Sequence, residues 1–438
     1  MTPRASGRAR RVTPTAAAAA LVLALAATGC GGSSGSASGK VTIRISTFSN
    51  MGFNKSGLFE EYEKLHPNIT IKEDNAADET TYWQALQPKL SSGEGLGDIV
   101  SIEVGRIRTI AGKKAAMFTD LAHAPGVQPG SFYPWKWAQA KTDDGKVLGL
   151  GTDIGPMAVC YRKDLFQQAG LPTDRTAVGA LWAGDWAKYV DVGERFQKQT
   201  KDKGLRFMDT GNGLYNAMIF GQVTSYYDAS GKLVHDSNPG VRRAYDLAAR
   251  ANTSGMTAKL QQFQANWRKS FSAAKFATVV CPSWMLGQIS QNSGPSGEGK
   301  WDIAKAPVPS NWGGSFLTVP KNSKVKDEAE KLAAWLTAPA QQAKVFASAT
   351  AGNFPSSRTA AADPAVAGTR NPYFTNAPVG QIFGDAAKNM PTLNIGPDQG
   401  IITNAISTGL TRVEQQGMDP DKSWRQAMSE IKSAIGKD

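Results

Sequence analysis

Histidine and cysteine are scarce, three of each in 438 residues, and this removes most metal chemistry from consideration. His66, His123 and His235 stand apart from one another and from any cysteine or carboxylate at metal-ligand spacing, so each is expected on a turn or the surface and no cofactor is implied. Phosphate-binding loops are missing too. Gly39-Lys40 and Gly299-Lys300 resemble the end of such a loop, but Val41 and Trp301 follow where a Ser or Thr must reach magnesium. The serine-hydrolase pattern occurs once, at Gly31-Gly32-Ser33-Ser34-Gly35, in a stretch too small and polar to build the strained turn that activates the serine. Lys and Arg exceed Asp and Glu by 12 but form no run and no Arg-aromatic stripe, so a nucleic-acid partner is not implied. After the first thirty residues no apolar run is long enough to span a bilayer. Acidic pairs are harder to set aside. Asp98, Glu103, Asp153 and Asp185 can supply two carboxylates for glycoside hydrolysis, and the same groups can hold sugar hydroxyls without any proton transfer.

The N-terminus carries Arg4, Arg8, Arg10 and Arg11 ahead of an uncharged apolar stretch, Ala16 to Ala27, too short for a stable spanning helix. It ends in Ala27-Thr28-Gly29-Cys30, which looks like a bacterial lipobox with Ala27 where Leu is more usual. The expectation is a signal peptide over residues 1–29, a lipidated Cys30, and a flexible tether over 30–39 built from Gly, Ser and Ala. An ordinary cleavable signal or an uncleaved anchor are the alternatives. Loss of residues 1–29 removes four positive charges, leaving 12 − 4 = +8 on the displayed part.

From Lys40 onward the chain is long enough to fill more than one core, and two lobes are expected. Val41 to Ile45 alternates as a half-buried strand; Leu58, Phe59, Tyr62 and Leu65 follow at helical spacing; Ile69 to Ile71 is a strand, Trp83 to Leu90 a helix, and Asp98 to Ile102 a strand. This alternation predicts an α/β fold with a mostly parallel sheet. Further strands are predicted at Ala158 to Tyr161, Phe276 to Cys281 and Ser315 to Val319, a loop over Ser290 to Gly299, and a docked amphipathic helix at the C-terminus through Trp424, Ile431 and Ile435. Cys160 and Cys281 both sit in apolar strand-like runs, where a disulfide and two buried thiols fit equally well.

Aromatic residues are plentiful, with eleven Trp. Trp284, Trp301 and Trp312 lie beside Pro, Ser, Lys or Gly at element ends, which suits stacking on the apolar face of a sugar ring while Asp, Glu, Asn or Arg grip its hydroxyl rim. Trp186 and Trp335, within helical patterns, are expected in the core. Phe48 and Asn50 follow the first strand, and Glu103 and Asp153 follow strand-like segments, where α/β sheets place ligands.

In this order the segments resemble the extracellular solute-binding proteins of carbohydrate ABC importers, in the branch that includes maltose-binding protein. Asp98-Ile99-Val100, Val159 to Phe166, Phe276 to Trp284, Trp312 to Pro320 and Gly352-Asn353-Phe354-Pro355 carry the likeness. Thr47 to Phe53, Thr81-Tyr82-Trp83 and Ile102 to Ile107 resemble, more narrowly, actinobacterial lipoproteins that bind cello-oligosaccharides. The resemblance implies a two-lobed periplasmic-binding-protein-like fold with a hinge and an interlobe ligand cleft, lobe 1 spanning 40–152 and 305–352 and lobe 2 spanning 153–304 and 353–438. It implies ligand contacts from Phe48, Asn50, Glu103, Asp153, Trp284, Trp312 and Gly313, no catalysis, a monomer working with membrane permease subunits, and a place on the outer face of the membrane.

Overall fold

Along β1 (Val41–Phe48) the fully buried Ile43 and Ile45 alternate with exposed Thr42 and Arg44, so one face of the strand joins a core and the other meets solvent. In the computed structural model, which describes residues 39–348 and 352–436, β1 is the second strand of a five-stranded sheet of order β2-β1-β3-β10-β4. Strand β2 (Ile69–Ala76) pairs with it in parallel from Val41 opposite Ile69 to Phe48 opposite Ala76, and β3 (Ile99–Glu103) is parallel on the other side. Strands β10 (Ser315–Thr318) and β4 (Leu150–Gly151) run antiparallel to their neighbours, with Ser315 opposite Glu103. Helices α1 (Leu58–Leu65), α2 (Glu79–Ser92), α3 (Val104–Lys113) and α4 (Pro134–Gln139) belong to this lobe. Asp78 starts α2 by accepting the Thr81 N–H at 2.9 Å, and Gly93, at φ 77, ends it, as a left-handed C-terminal residue must.

The second lobe is built on a four-stranded sheet, β7 (Arg206–Met208), β8 (Phe276–Pro282), β6 (Met157–Arg162) and β9 (Trp301–Lys305) in the order β7-β8-β6-β9. All of β6 is buried, because Val159 and Tyr161 face one apolar cluster, with Phe166, Tyr189 and Phe207, while Ala158 and Cys160 face another, with Trp267 and Phe276. The three strands that carried the expectation of a mostly parallel sheet, β1, β2 and β3, are parallel, but both sheets as wholes are mixed. Strand β6 is antiparallel to both β8 and β9, and β10 returns into the first lobe against the direction of β3. Alternating strands and helices predict a crossover connection but not the direction of a strand that arrives from the other lobe. Cys160 and Cys281 are bonded across β6 and β8, with Cα atoms 5.5 Å apart.

A two-stranded ribbon, β5 (Asp153–Ile154) with β11 (Phe354–Pro355), ties together two of the segments that pass between the lobes. The helix Met285–Ser293 extends into the expected Ser290 to Gly299 loop. Behind the second lobe the helices Gly211–Ile219, Pro239–Thr253, Gln399–Gln416 and Pro420–Ile435 share a cluster in which Tyr215, Tyr245, Ile406 and Ile431 are buried, and Trp424 packs 4.9 Å from Tyr245. No helix among the described residues is long and apolar enough to cross a membrane. The expected signal segment and Cys30 lie outside the described residues.

Candidate functional site

Where β1 and β3 end and β5 begins, the two lobes face each other across a cavity of about 210 Å³. All seven ligand contacts expected from sequence line it: Phe48, Asn50, Glu103, Asp153, Trp284, Trp312 and Gly313. Phe48 closes β1 and packs 5.2 Å from Tyr82 of α2. The backbone then turns through Ser49 at φ 54, and the Asn50 carbonyl accepts from Asn353 Nδ2 at 3.0 Å, linking the first strand to the segment before β11.

The tryptophans form a corner. Trp284 follows β8, and its Nε1–H donates to the Trp312 carbonyl at 2.8 Å, with the two rings 5.5 Å apart and nearly perpendicular. That closeness dictates two glycines. A Cβ on Gly155 would come within 1.8 Å of the Trp312 oxygen, and Gly313, at φ 97, leaves room for the Trp284 indole nitrogen, which a Cβ would meet at 2.8 Å. Trp301 does not belong here: it is fully buried in β9, donates to Ser293 Oγ at 3.0 Å and packs against Phe271 and Phe276. Trp186 is core as expected, whereas Trp335 is half-buried against Tyr62.

Charge is concentrated at the ends of β3 and β4 and along α3. Glu103 caps α3, its carboxylate accepting the Gly105 N–H at 2.5 Å. Burial, reinforced by the charge of Glu79, pushes its pKa up to about 7 against the pull of that N–H and of Arg106 and Lys136. Asp153 accepts from Ser315 N at 2.9 Å and Thr152 Oγ1 at 2.7 Å; burial raises its pKa while Lys136 opposes the rise. Arg106 is held by Glu79 at 3.2 Å and lies 5.0 Å from the Trp83 ring. Asp98 and Asp185 play no part in the cleft. Asp98 accepts from Arg44 N and Ser323 Oγ, and Asp185 caps the helix Trp186–Thr200.

Sequence reasoning missed Arg106 and the start of the helix Gln399–Gln416, whose Gln399, Gly400, Thr403 and Asn404 close the cleft on the far side. Gln399 is buried with both amide atoms lacking a hydrogen-bond partner among the described residues, and Asn353 Oδ1 is in the same state. Buried amides are costly unless paired, so a ligand rich in hydroxyls fits this lining. No group of three or more His, Cys, Asp or Glu among the described residues is arranged to hold a metal.

Comparison with known proteins agrees with this architecture. Residues 57–376 match the family model described as bacterial extracellular solute-binding protein. A lactose-binding protein of Rhizobium radiobacter is 26% identical over 370 residues, covering 80% of this chain and 82% of the relative. A crystal structure of an extracellular solute-binding protein of family 1 is 40% identical, with TM-score 0.75, covering 90% of this chain and 99% of the other. The ABC transporter associated binding protein of B. animalis subsp. lactis Bl-04, 18% identical with TM-score 0.75 and covering 91% and 97% of the two chains, has the same fold. The relatives are substrate-binding proteins and not enzymes, which removes the hydrolytic reading of the carboxylates. With a family model spanning most of its length and a two-lobed fold around one lined cleft, the chain belongs to the bacterial extracellular solute-binding proteins.

Proposed function

We propose that the protein captures a short oligosaccharide for an ABC importer by closing its two lobes over it. Lobe 1 comprises 40–152 and 305–352, lobe 2 comprises 153–304 and 353–438, and a lipid on Cys30 with the tether over 30–39 keeps the monomeric clamp beside the permease subunits. The observation that carries the reading is the pairing, in one cleft, of the Trp284–Trp312 corner with Glu103, Asp153, the unpartnered amide of Gln399 and the unpartnered Oδ1 of Asn353. Aromatic faces suit the C–H face of a pyranose, and carboxylates and amides suit its hydroxyls. Ligand contacts come from Phe48, Asn50, Glu103, Asp153, Trp284, Trp312 and Gly313. Because both lobes contribute, a sugar bound to all of them favours the closed form.

The sugar proposed is cellobiose or a longer cello-oligosaccharide. The segments Thr47 to Phe53 and Ile102 to Ile107 support this, and lactose, for which one relative is named, is likewise a β-1,4-linked disaccharide. Isothermal calorimetry against cellobiose, cellotriose, lactose, maltose, xylobiose and chitobiose tests it. Heat from the β-1,4-glucosides at low micromolar concentration is expected, and silence across the panel overturns the sugar reading.

A further inference from the structure

Lys136, on α4, is wholly buried, and its Nζ has no hydrogen-bond partner among the described residues. An ammonium out of water and without an acceptor is unfavourable, so nearby groups must hold it charged. Its room is made by two glycines. A Cβ on Gly151 of β4 would come within 3.1 Å of the lysine Cγ, and a Cβ on Gly314, the residue before β10, within 2.9 Å of Nζ. Gly314 itself lines the cleft, so the ammonium lies one backbone thickness behind the cleft floor. Nζ sits 3.8 Å from the centre of the Phe316 ring, a favourable cation–π contact.

The charges facing this lysine are Asp153 from β5 and Glu103 from the end of β3. Each of those carboxylates already takes a backbone N–H, from Ser315 and Gly105 respectively. Glu79 of α2 and Arg106 of α3 also face Glu103, with opposite effects. Burial brings the Lys136 pKa down to about 8, a fall that the two carboxylates resist, as the lysine in turn resists the rise of theirs.

We propose that Lys136 is a positioning residue for the ligand: a buried counter-charge that favours the ionised, hydrogen-bond-accepting forms of Asp153 and Glu103 at the cleft floor without itself touching the sugar. The inference rests on the reading that the cleft takes a sugar. An ionised carboxylate accepts charge-assisted bonds from hydroxyls, whereas a protonated one spends an oxygen as donor and binds them less strongly. A lysine present only to fill space would be replaceable by methionine.

The test compares wild type with Lys136→Met, using Lys136→Gln if the first variant does not fold. Two measurements are made from pH 5.5 to 8.5: carboxyl ¹³C shifts of Glu103 and Asp153 in the ligand-free protein, and calorimetric affinity for cellobiose. The neutral variant is expected to bind at least about tenfold more weakly at pH 7, with the Glu103 midpoint and the acid limb of the affinity profile moved up by about one pH unit or more. An equal loss at every pH with an unmoved Glu103 midpoint means packing alone and overturns the proposal. So does an Asp153 found protonated at pH 7 in the wild type, whatever the variants do. The carbon shifts need no sugar, so a protein silent to every sugar would sink the functional reading while the shifts still decide whether Lys136 holds the carboxylates ionised.

Discussion

Lys113 Nζ, at the end of α3, lies 3.2 Å from Asp398 Oδ1, the residue that precedes the helix Gln399–Gln416. The other oxygen of Asp398 accepts from Tyr227 at 3.2 Å, and one turn back along α3 Thr109 Oγ1 donates to the Pro397 carbonyl at 2.6 Å. Residues 106, 109 and 113 of α3 thus form one stripe, and a single segment of the second lobe rests on it beside the cleft. This contact exists only with the lobes together, so it biases the hinge without touching ligand. Asp398→Ala should weaken sugar affinity by about 2- to 5-fold, consistent with a partly exposed ion pair between the lobes worth up to about 1 kcal/mol. Calorimetry gives the affinity, and small-angle scattering should show a larger radius of gyration. An unchanged affinity would mean that the stripe does not bear on closure.

Gly400 completes the same contact. A Cβ there would approach Arg106 Nη1 to 2.0 Å, and Arg106 is not free to move aside, being held by Glu79 and packed on Trp83. Gly400→Leu should therefore cut affinity by about 100-fold or more, because the lobes cannot fully close, while the melting temperature of the ligand-free protein stays within a few degrees. A large fall in that temperature would point to a folding defect instead.

Trp284→Ala removes a ring from the cleft and the donor to the Trp312 carbonyl together. A stacked aromatic at a buried binding centre is commonly worth at least 2 kcal/mol, so a loss of about 30-fold or more in affinity is expected. Intrinsic fluorescence should also stop responding to sugar if this indole reports binding. Trp301→Phe, by contrast, should lower stability and leave affinity unchanged, since Trp301 is buried in β9.

How far these features could be read from the sequence depends on how local their causes are. Phe48 and Glu103 were legible because each closes an alternating or apolar strand, and Asp153 because it follows the apolar run that ends in β4; the end of a strand in an α/β sheet is itself a positional signal. Gly313 was legible only through the family resemblance of the segment Trp312 to Pro320. Lys136 was not: within Pro134-Trp135-Lys136-Trp137 it reads as an ordinary surface lysine, and only Gly151 on another strand and Gly314, far away in sequence, create its buried channel. Gly400 was missed because it meets Arg106 across almost 300 residues of chain, and Gln399 because it enters the cleft beside it. Trp301 misled because Lys300 and Gly299 before it suggested an exposed junction, whereas the turn they form delivers the indole directly into the core.

A further buried acid, outside the cleft lining, bears on stability. Glu414, nearly inaccessible, accepts from Thr210 Oγ1 at 2.8 Å at the start of the helix Gly211–Ile219, and burial pushes its pKa up to about 7, helped by the neighbouring charge of Asp209. Asp209 is raised to about 6 by burial in turn. The folded state therefore holds these protons more tightly than the unfolded chain, so the stability they contribute is fully present below about pH 4 and is lost as pH rises toward 7. For Glu414 alone the loss is on the order of 3 kcal/mol, since each pH unit of difference is about 1.4 kcal/mol. The ligand-free protein should accordingly melt several degrees lower at pH 8 than at pH 5.5. Glu414→Gln, neutral at every pH and able to keep the threonine contact, should remove much of that slope by raising the melting temperature at pH 8 more than at pH 5.5. Equal slopes in the two proteins would show that Glu414 is ionised in the fold, with its charge held by the N-terminus of the helix Gly211–Ile219.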